Sequence, residues 1–323
     1  MRTRTLVLSL LVGAVALALF PALAERFYVQ LLTKIMILSI FALSLDLLVG
    51  YTGLVSLGHA AYFGVAAYTL ALAAPASGPA NFWLSLPLSL AASAITALVI
   101  GAFVVRASGV YFIMVTLAFA QMVYYFFHDT RVAGGSDGMY IDTRPSIGIA
   151  AVDLADDLHF YYLVLALLAG VFFLLALILR SPFGRALQGI KANEQRMRAL
   201  GFATRRYKLA AFVLAGTLAG LAGYLAAAKE GYVNPELMAW HQSGVVLMML
   251  ILGGMGTLFG AVIGTFSYVL LQEWFSTLTK HWPLLMGCFI IVTVLLFPQG
   301  LAGLPQTLVA RWRSGVGEKD DDA

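Results

Sequence analysis

The chain has 323 residues, of which 61% are hydrophobic and 11% charged, whereas ordinary globular domains are about 45–50% apolar and about 25% charged. Too few charges are present to cover the surface of soluble domains of this size, so lipid is the solvent that fits. The one cysteine, Cys288, excludes an intrachain disulfide framework and a thiolate metal site.

A helix needs about 20 apolar residues to cross a hydrocarbon core of about 30 Å. Candidate spans are 6–23, 31–48, 56–73, 82–105, 110–127, 160–179, 209–228, 243–255, 256–273 and 284–297. The first follows Arg2 and Arg4 and ends in Ala22-Leu23-Ala24, which imitates a secretory signal with its cleavage site. A second apolar segment begins almost at once, so an uncleaved span is the simpler reading. The division near Gly253 is the weakest, since one long helix could stand there in place of two.

Charge sets the topology. Eight of twenty basic residues lie in 180–208 with one acid, Glu194, whereas 128–159 carries six aspartates against Arg131 and Arg144. Basic loops stay cytoplasmic, so 180–208 is expected inside and 128–159 outside. Ten spans then place fourteen basic residues and both termini inside. Nine would export Arg311 and Arg313. The expectation is a single transmembrane domain over 1–323, with a solvated acidic tail.

Lys34, Asp46 and His59 are the ionisable groups within or nearest the spans, and such groups are candidates for proton relays or substrate contacts. Their plain alternatives are snorkelling by Lys34 and a cytoplasmic-end position for Asp46 and His59. No carboxylate pair, metal-spaced histidine cluster or Ser/His/Asp set stands out, so an intramembrane enzyme has little support.

Glycines are placed with regularity. Gly50, Gly53, Gly58 and Gly64 mark the entrance to the third span; Gly53 and Gly58 have the separation of a phosphate-binding loop, but His59 and Ala60 follow where Lys and Ser or Thr are required. No Gly-Lys pair occurs anywhere, so the chain has no such ATPase loop of its own. Gly216 and Gly220 in the seventh span, and Gly256, Gly260 and Gly264 in the ninth, repeat every four residues, which lets helices approach closely. Static packing and a moving interface along a pathway both fit this spacing. The run Gly134-Gly135-Ser136-Asp137-Gly138 could lie across an outer mouth or simply cross the surface, and Asn234-Pro235-Glu236 reads as a turn.

Within 180–208, Ser181-Pro182 suits a helix start, and Arg185 through Leu200 reads as helical up to a Gly201 cap. Phe183, Leu187, Ile190, Met197 and Leu200 give this basic hairpin apolar groups that call for a protein partner; anionic headgroups are the alternative.

The stretches GlyTyrThrGlyLeuValSerLeuGlyHisAlaAla from 50, GlyGlySerAspGly from 134, SerProPheGlyArgAlaLeuGlnGlyIleLysAlaAsnGlu from 181 and GlyGlyMetGlyThrLeuPheGlyAlaValIleGly from 253 occur in one chain. In this order they resemble the permeases of branched-chain amino-acid ABC importers, of the LivM type. The resemblance implies an all-α integral membrane protein of about ten helices, like the permeases of type II ABC importers, in a bacterial inner membrane. It implies a related second permease as heterodimer partner, two cytoplasmic ATPases that hold ATP and Mg, and a periplasmic binding protein, with no cofactor in this chain and no nucleic acid. By matching positions, Gly184, Arg185, Asn193, Glu194 and Gly201 belong to the loop that couples to the ATPase. Gln195-Arg196-Met197-Arg198 departs from the family pattern. Gly53, Gly58, His59, Gly216, Gly220, Gly256 and Gly260 are packing or pathway candidates. Permeases for urea, amides or aromatic acids, and an ion-coupled secondary transporter, are the alternative functions.

Overall fold

The structure is a computed structural model that describes residues 13, 17–22, 25–75, 78–148, 153–297 and 300–303. Most of the expected first span, both ends of the chain and the acidic tail lie outside these residues. The helices are α1 (Arg26–Asp46), α2 (His59–Ala73), α3 (Phe82–Val104), α4 (Val110–Asp129), α5 (Asp157–Arg180), α6 (Pro182–Ala192), α7 (Glu194–Ala199), α8 (Thr204–Glu230), α9 (Trp240–Gly253), α10 (Leu258–Leu278) and α11 (Trp282–Leu296).

Among the described residues seven segments are long and apolar enough to cross a membrane: α1 with its continuation to Thr52, α3, α4, α5, α8, α10, and α11 with its extension to Gly303. The apolar helices α2 and α9 are shorter. Every expected span after the first therefore has a helix in place. The ambiguity near Gly253 is resolved as two helices, because Gly254 (φ 107°) and Gly256 (φ 82°) take positive φ values that side-chain-bearing residues avoid. Gly256, expected inside the ninth span, lies in this break instead. Thr257 restarts the helix, its hydroxyl accepting the Gly260 N–H at 3.1 Å.

Two helices form the centre. α1 is almost wholly enclosed and packs on α5, α8 and α10, while α8 carries α2 and α3 along its length. Small residues allow the second contact. Ser85, Ser89, Ser93, Ala97 and Gly101 repeat every four positions on α3 and are all buried. Ser93 donates to the Tyr62 carbonyl at 3.0 Å, and Ser85 shares a hydrogen bond of 2.8 Å with the Tyr224 hydroxyl. Where lipid supplies no hydrophobic drive, such close packing and shared hydrogen bonds hold helices together.

α2 is 15 residues long, about 22 Å at 1.5 Å per residue, and cannot cross alone. It is completed by a π-helical turn (Leu47–Thr52), left-handed Gly53 and the irregular stretch 54–58. Irregular backbone is tolerated at this depth only inside protein, and Ser56, Gly58 and His59 are buried. The Ala60 N–H in the first turn of α2 donates to Ser243 of α9 at 2.9 Å.

At the end bearing residues 128–148, strands β1 (Met139–Tyr140) and β2 (Tyr232–Val233) pair antiparallel, Met139 opposite Val233. Asp157 at the start of α5 accepts from Gln30 of α1 at 3.0 Å and from Arg144 at 2.8 Å. The hairpin α6–α7 sits at the opposite end, after α5 has run the full length of the bundle. Pro235–Met238 is a short 3-10 turn, the form expected of Asn234-Pro235-Glu236.

Candidate functional site

The hairpin is built as two helices, whereas the sequence suggests one from Arg185 to Leu200. Asn193 breaks it with extended backbone (φ −161°, ψ 101°) and caps α7, its Oδ1 accepting the Arg196 N–H at 2.9 Å. That is the behaviour of a good N-cap residue followed by an acid. Ser181 caps α6 by accepting from Gly184 N at 3.4 Å. Gly201 ends the hairpin in the left-handed conformation, φ 86°.

Glu194 is the electrostatic centre of the hairpin. It accepts from Lys208 of α8, from Arg198 at 2.6 Å and from the Thr204 hydroxyl at 3.1 Å. The Lys208 side chain is only 4% exposed, so Glu194 supplies the counter-charge a buried ammonium needs. Burial pushes the Glu194 carboxyl up, but the bonds from Lys208 and Arg198 outweigh it and hold the carboxyl below its ordinary value. The sole acid of the basic loop is thus spent within the bundle. Arg185 is exposed and makes no side-chain hydrogen bond among the described residues.

The apolar residues of the hairpin are largely consumed as well. Leu187 and Ile190 are buried, Phe183 stacks on Tyr207 with centroids 5.7 Å apart, and Met197 fills the space at Gly189. Leu200 (67%) and Phe202 (38%) are the large apolar residues of this segment that remain exposed. Gly184 is buried with no room for a side chain, since an added Cβ would lie 2.5 Å from the carbonyl oxygens of Ile178 and Leu179.

A further bond joins the hairpin to the first helix break. Lys191 Nζ donates to the carbonyl of Gly50 in the π-helical turn, and its stem covers left-handed Gly53. Gly50 packs against Gly256 in the α9–α10 break with no space for a Cβ, and Asp46, fully buried, accepts the Gly256 N–H at 2.8 Å. Lys191, Gly50, Asp46 and Gly256 therefore bring the hairpin, the first helix break and the second break into one cluster. The sequence treats Asp46 as an end-of-span group; its partner 210 positions away is visible only in the fold.

The remaining singled-out residues fall as follows. His59 is buried, stacked on Phe41, with Nε2 2.9 Å from the Ser44 hydroxyl. Gly58 abuts the carbonyl of Thr116, the seventh residue of α4. Gly216 faces Ala97 and Tyr62, Gly220 faces Ser93, and Gly260 closes on the Gly253–Gly254 backbone. Lys34 lines a cavity between α1, α8, α9 and α10. The α3 serine stripe and Gly223, which presses on the Phe63 carbonyl, are contacts that sequence reading missed, although their four-residue spacing and mid-helix glycine were there to see.

A many-helix membrane bundle with two glycine-broken helices and a cytoplasm-type basic hairpin locked onto them has the make-up of a transport permease. Residues 27–297 match the family described as the branched-chain amino acid transport system / permease component, and the chain belongs to that family. It is 32% identical to the high-affinity branched-chain amino acid transport system permease proteins LivM of Salmonella typhimurium and of Escherichia coli, over 95% of this chain and 76% of theirs. Over a shorter stretch, 32% of this chain and 31% of the relative, it is 38% identical to the autoinducer 2 import system permease protein LsrC of Klebsiella pneumoniae. No solved structure matches it.

Proposed function

We propose that this chain is the membrane-spanning subunit of an ATP-driven importer for branched-chain, hydrophobic amino acids, working by alternating access in a bacterial inner membrane. The observation that carries this reading is the family match over residues 27–297, which takes in the α6–α7 hairpin, both glycine breaks and the serine-capped α2. ATP and Mg are held by two separate cytoplasmic ATPases, a second related permease completes the pathway, and a periplasmic protein delivers substrate. Residues 180–208 form the cytoplasmic coupling loop, 128–159 the periplasmic one, and both termini are cytoplasmic.

In this mechanism Leu200, Phe202 and Arg185 form the contact surface for the ATPase. Gly184, Asn193, Glu194 and Gly201 keep that surface rigid on α5 and α8. Movement imposed on the hairpin reaches the two helix breaks through Lys191. Gly216, Gly220 and Gly260 let the moving helices slide at close approach.

The test is reconstitution. Co-purification of an ATPase, together with leucine uptake into liposomes that needs ATP and persists when ion gradients are collapsed, is the expected result. Uptake that follows an ion gradient without ATP would assign a secondary transporter, and urea or an amide as the only cargo would reassign the substrate.

A further inference from the structure

The cavity beside Lys34 has a volume of about 450 Å³, within the range of about 300–1,000 Å³ of small-molecule sites. Its lining is sorted by depth. On α1 Lys34 precedes Phe41, on α8 Lys229 and Glu230 are the last residues, on α9 Gln242 precedes Val246 and Met249, and on α10 Tyr268 precedes Gln272. Following each helix in its own direction puts Lys34, Lys229, Glu230, Gln242 and Gln272 toward the end that bears β1 and β2. Phe41, Val246 and Met249 lie toward the helix breaks. The cavity is charged at the outer end and apolar at the inner one.

The charges at the outer end are not all satisfied. Lys229 donates to Glu230 Oε1 at 2.9 Å. Lys34 makes no hydrogen bond or ion pair among the described residues, although it sits eight residues into α1, about 12 Å from the start of the helix. Lys34 is exposed rather than sealed among the helices, so its ammonium is free to take an anionic ligand at the mouth of the cavity.

We propose that this cavity is a binding site, within this one subunit, for a free amino acid with an apolar side chain. Lys34 receives the α-carboxylate, Glu230 receives the α-ammonium beside Lys229, and the side chain points down onto Phe41, Val246 and Met249. The assignment rests on the proposed amino-acid transport and adds where the cargo pauses and which groups read its two charges. A deaminated or amidated analogue of leucine satisfies one charge and leaves the other group unpaired, so the site selects the zwitterion.

The test uses the assembled complex carrying Cys288→Ser and a reporter cysteine in Gln272→Cys, with the rate of N-ethylmaleimide labelling as the readout. Leucine should slow labelling, whereas leucinamide and 4-methylpentanoate should not at the same concentration. Lys34→Met should raise the leucine concentration needed for protection about tenfold or more, the loss expected for one charge-assisted contact, and Lys34→Arg should restore most of it. Val246→Trp should abolish protection by filling the apolar end. Labelling unaffected by leucine, equal protection by all three compounds, or unchanged protection in Lys34→Met would overturn the site and leave Lys34 as a snorkelling residue. Uptake by the unmodified complex separates the two levels: absence of any ATP-driven amino-acid uptake removes the proposed function and the site with it, whereas normal uptake with failed protection removes only the site.

Discussion

Asp46 at the end of α1 accepts the N–H of Gly256 at 2.8 Å, a bond that ties together two helix interruptions 210 positions apart. The amide of a helix break has no partner in its own ladder, so in a dry interior the carboxylate supplies what water cannot. Asp46→Asn retains an acceptor at Oδ1 and should fold normally. Asp46→Ala leaves the Gly256 N–H orphaned and should destabilise the bundle by about 1–3 kcal/mol. Thermal aggregation of the detergent-solubilised complex measures the difference, and equal midpoints for the two variants would refute it.

The hairpin should be acid-sensitive. Glu194 has a folded-state affinity for protons below that of a free carboxylate, whose ordinary value is 4.5, so its contribution is fully present above that value and is lost as pH falls through the lower folded-state value. Hydrogen-exchange protection over residues 182–203, corrected for the intrinsic pH dependence of amide exchange, should therefore be high at neutral pH and should fall in strong acid. Glu194→Gln should show low protection at every pH, because Lys208 then lies buried without its counter-charge. Adding Lys208→Met should recover protection.

Lys191→Met probes transmission rather than folding. The substitution keeps the apolar stem over Gly53 and removes only the donor to the Gly50 carbonyl. ATPase binding should be retained while the number of substrates moved per ATP hydrolysed falls severalfold. An unchanged ratio would show that the hairpin acts through α5 and α8 alone.

Glycine tolerance should follow contact. Gly223→Ala places a methyl on the Phe63 carbonyl, and Gly220→Leu drives a side chain into Ser93; both should impair assembly, by about 1–3 kcal/mol or more for such overpacking. Gly170 on α5 meets nothing within 4 Å, so Gly170→Ala should stay within about 0.5 kcal/mol. Expression and melting of the complex rank the three.

These contacts also show what the sequence could and could not disclose. Apolar length located nine helices among the described residues, and Ser181-Pro182 and Gly201 marked the hairpin ends, because caps and hydropathy act over a few residues. Asn193 and the α3 serines carried local signals too, namely a strong N-cap type before an acid and small residues every fourth position. Asp46 was different. Whether a carboxylate near a span end is solvated or sealed depends on a loop that arrives two hundred residues later, and no local pattern encodes that meeting. The Lys34 cavity is likewise assembled from separate helices, so its residues read singly as a snorkelling lysine and ordinary surface polar groups.

The serine cap of α2 sets an order on biogenesis. The Ala60 amide depends on a hydroxyl 183 residues further along, and until Ser243 is synthesised the first turn of α2 has an unpaired donor within apolar surroundings. A ribosome adding about 5–20 residues per second leaves that end open for roughly 10–40 seconds. During that interval the short helix is best sheltered by the insertion machinery or by water near the membrane face. Release of α9 into the bundle is then the event that lets residues 53–60 settle at depth, so truncations that stop before Ser243 should hold this region accessible even though α1 through α8 are all present.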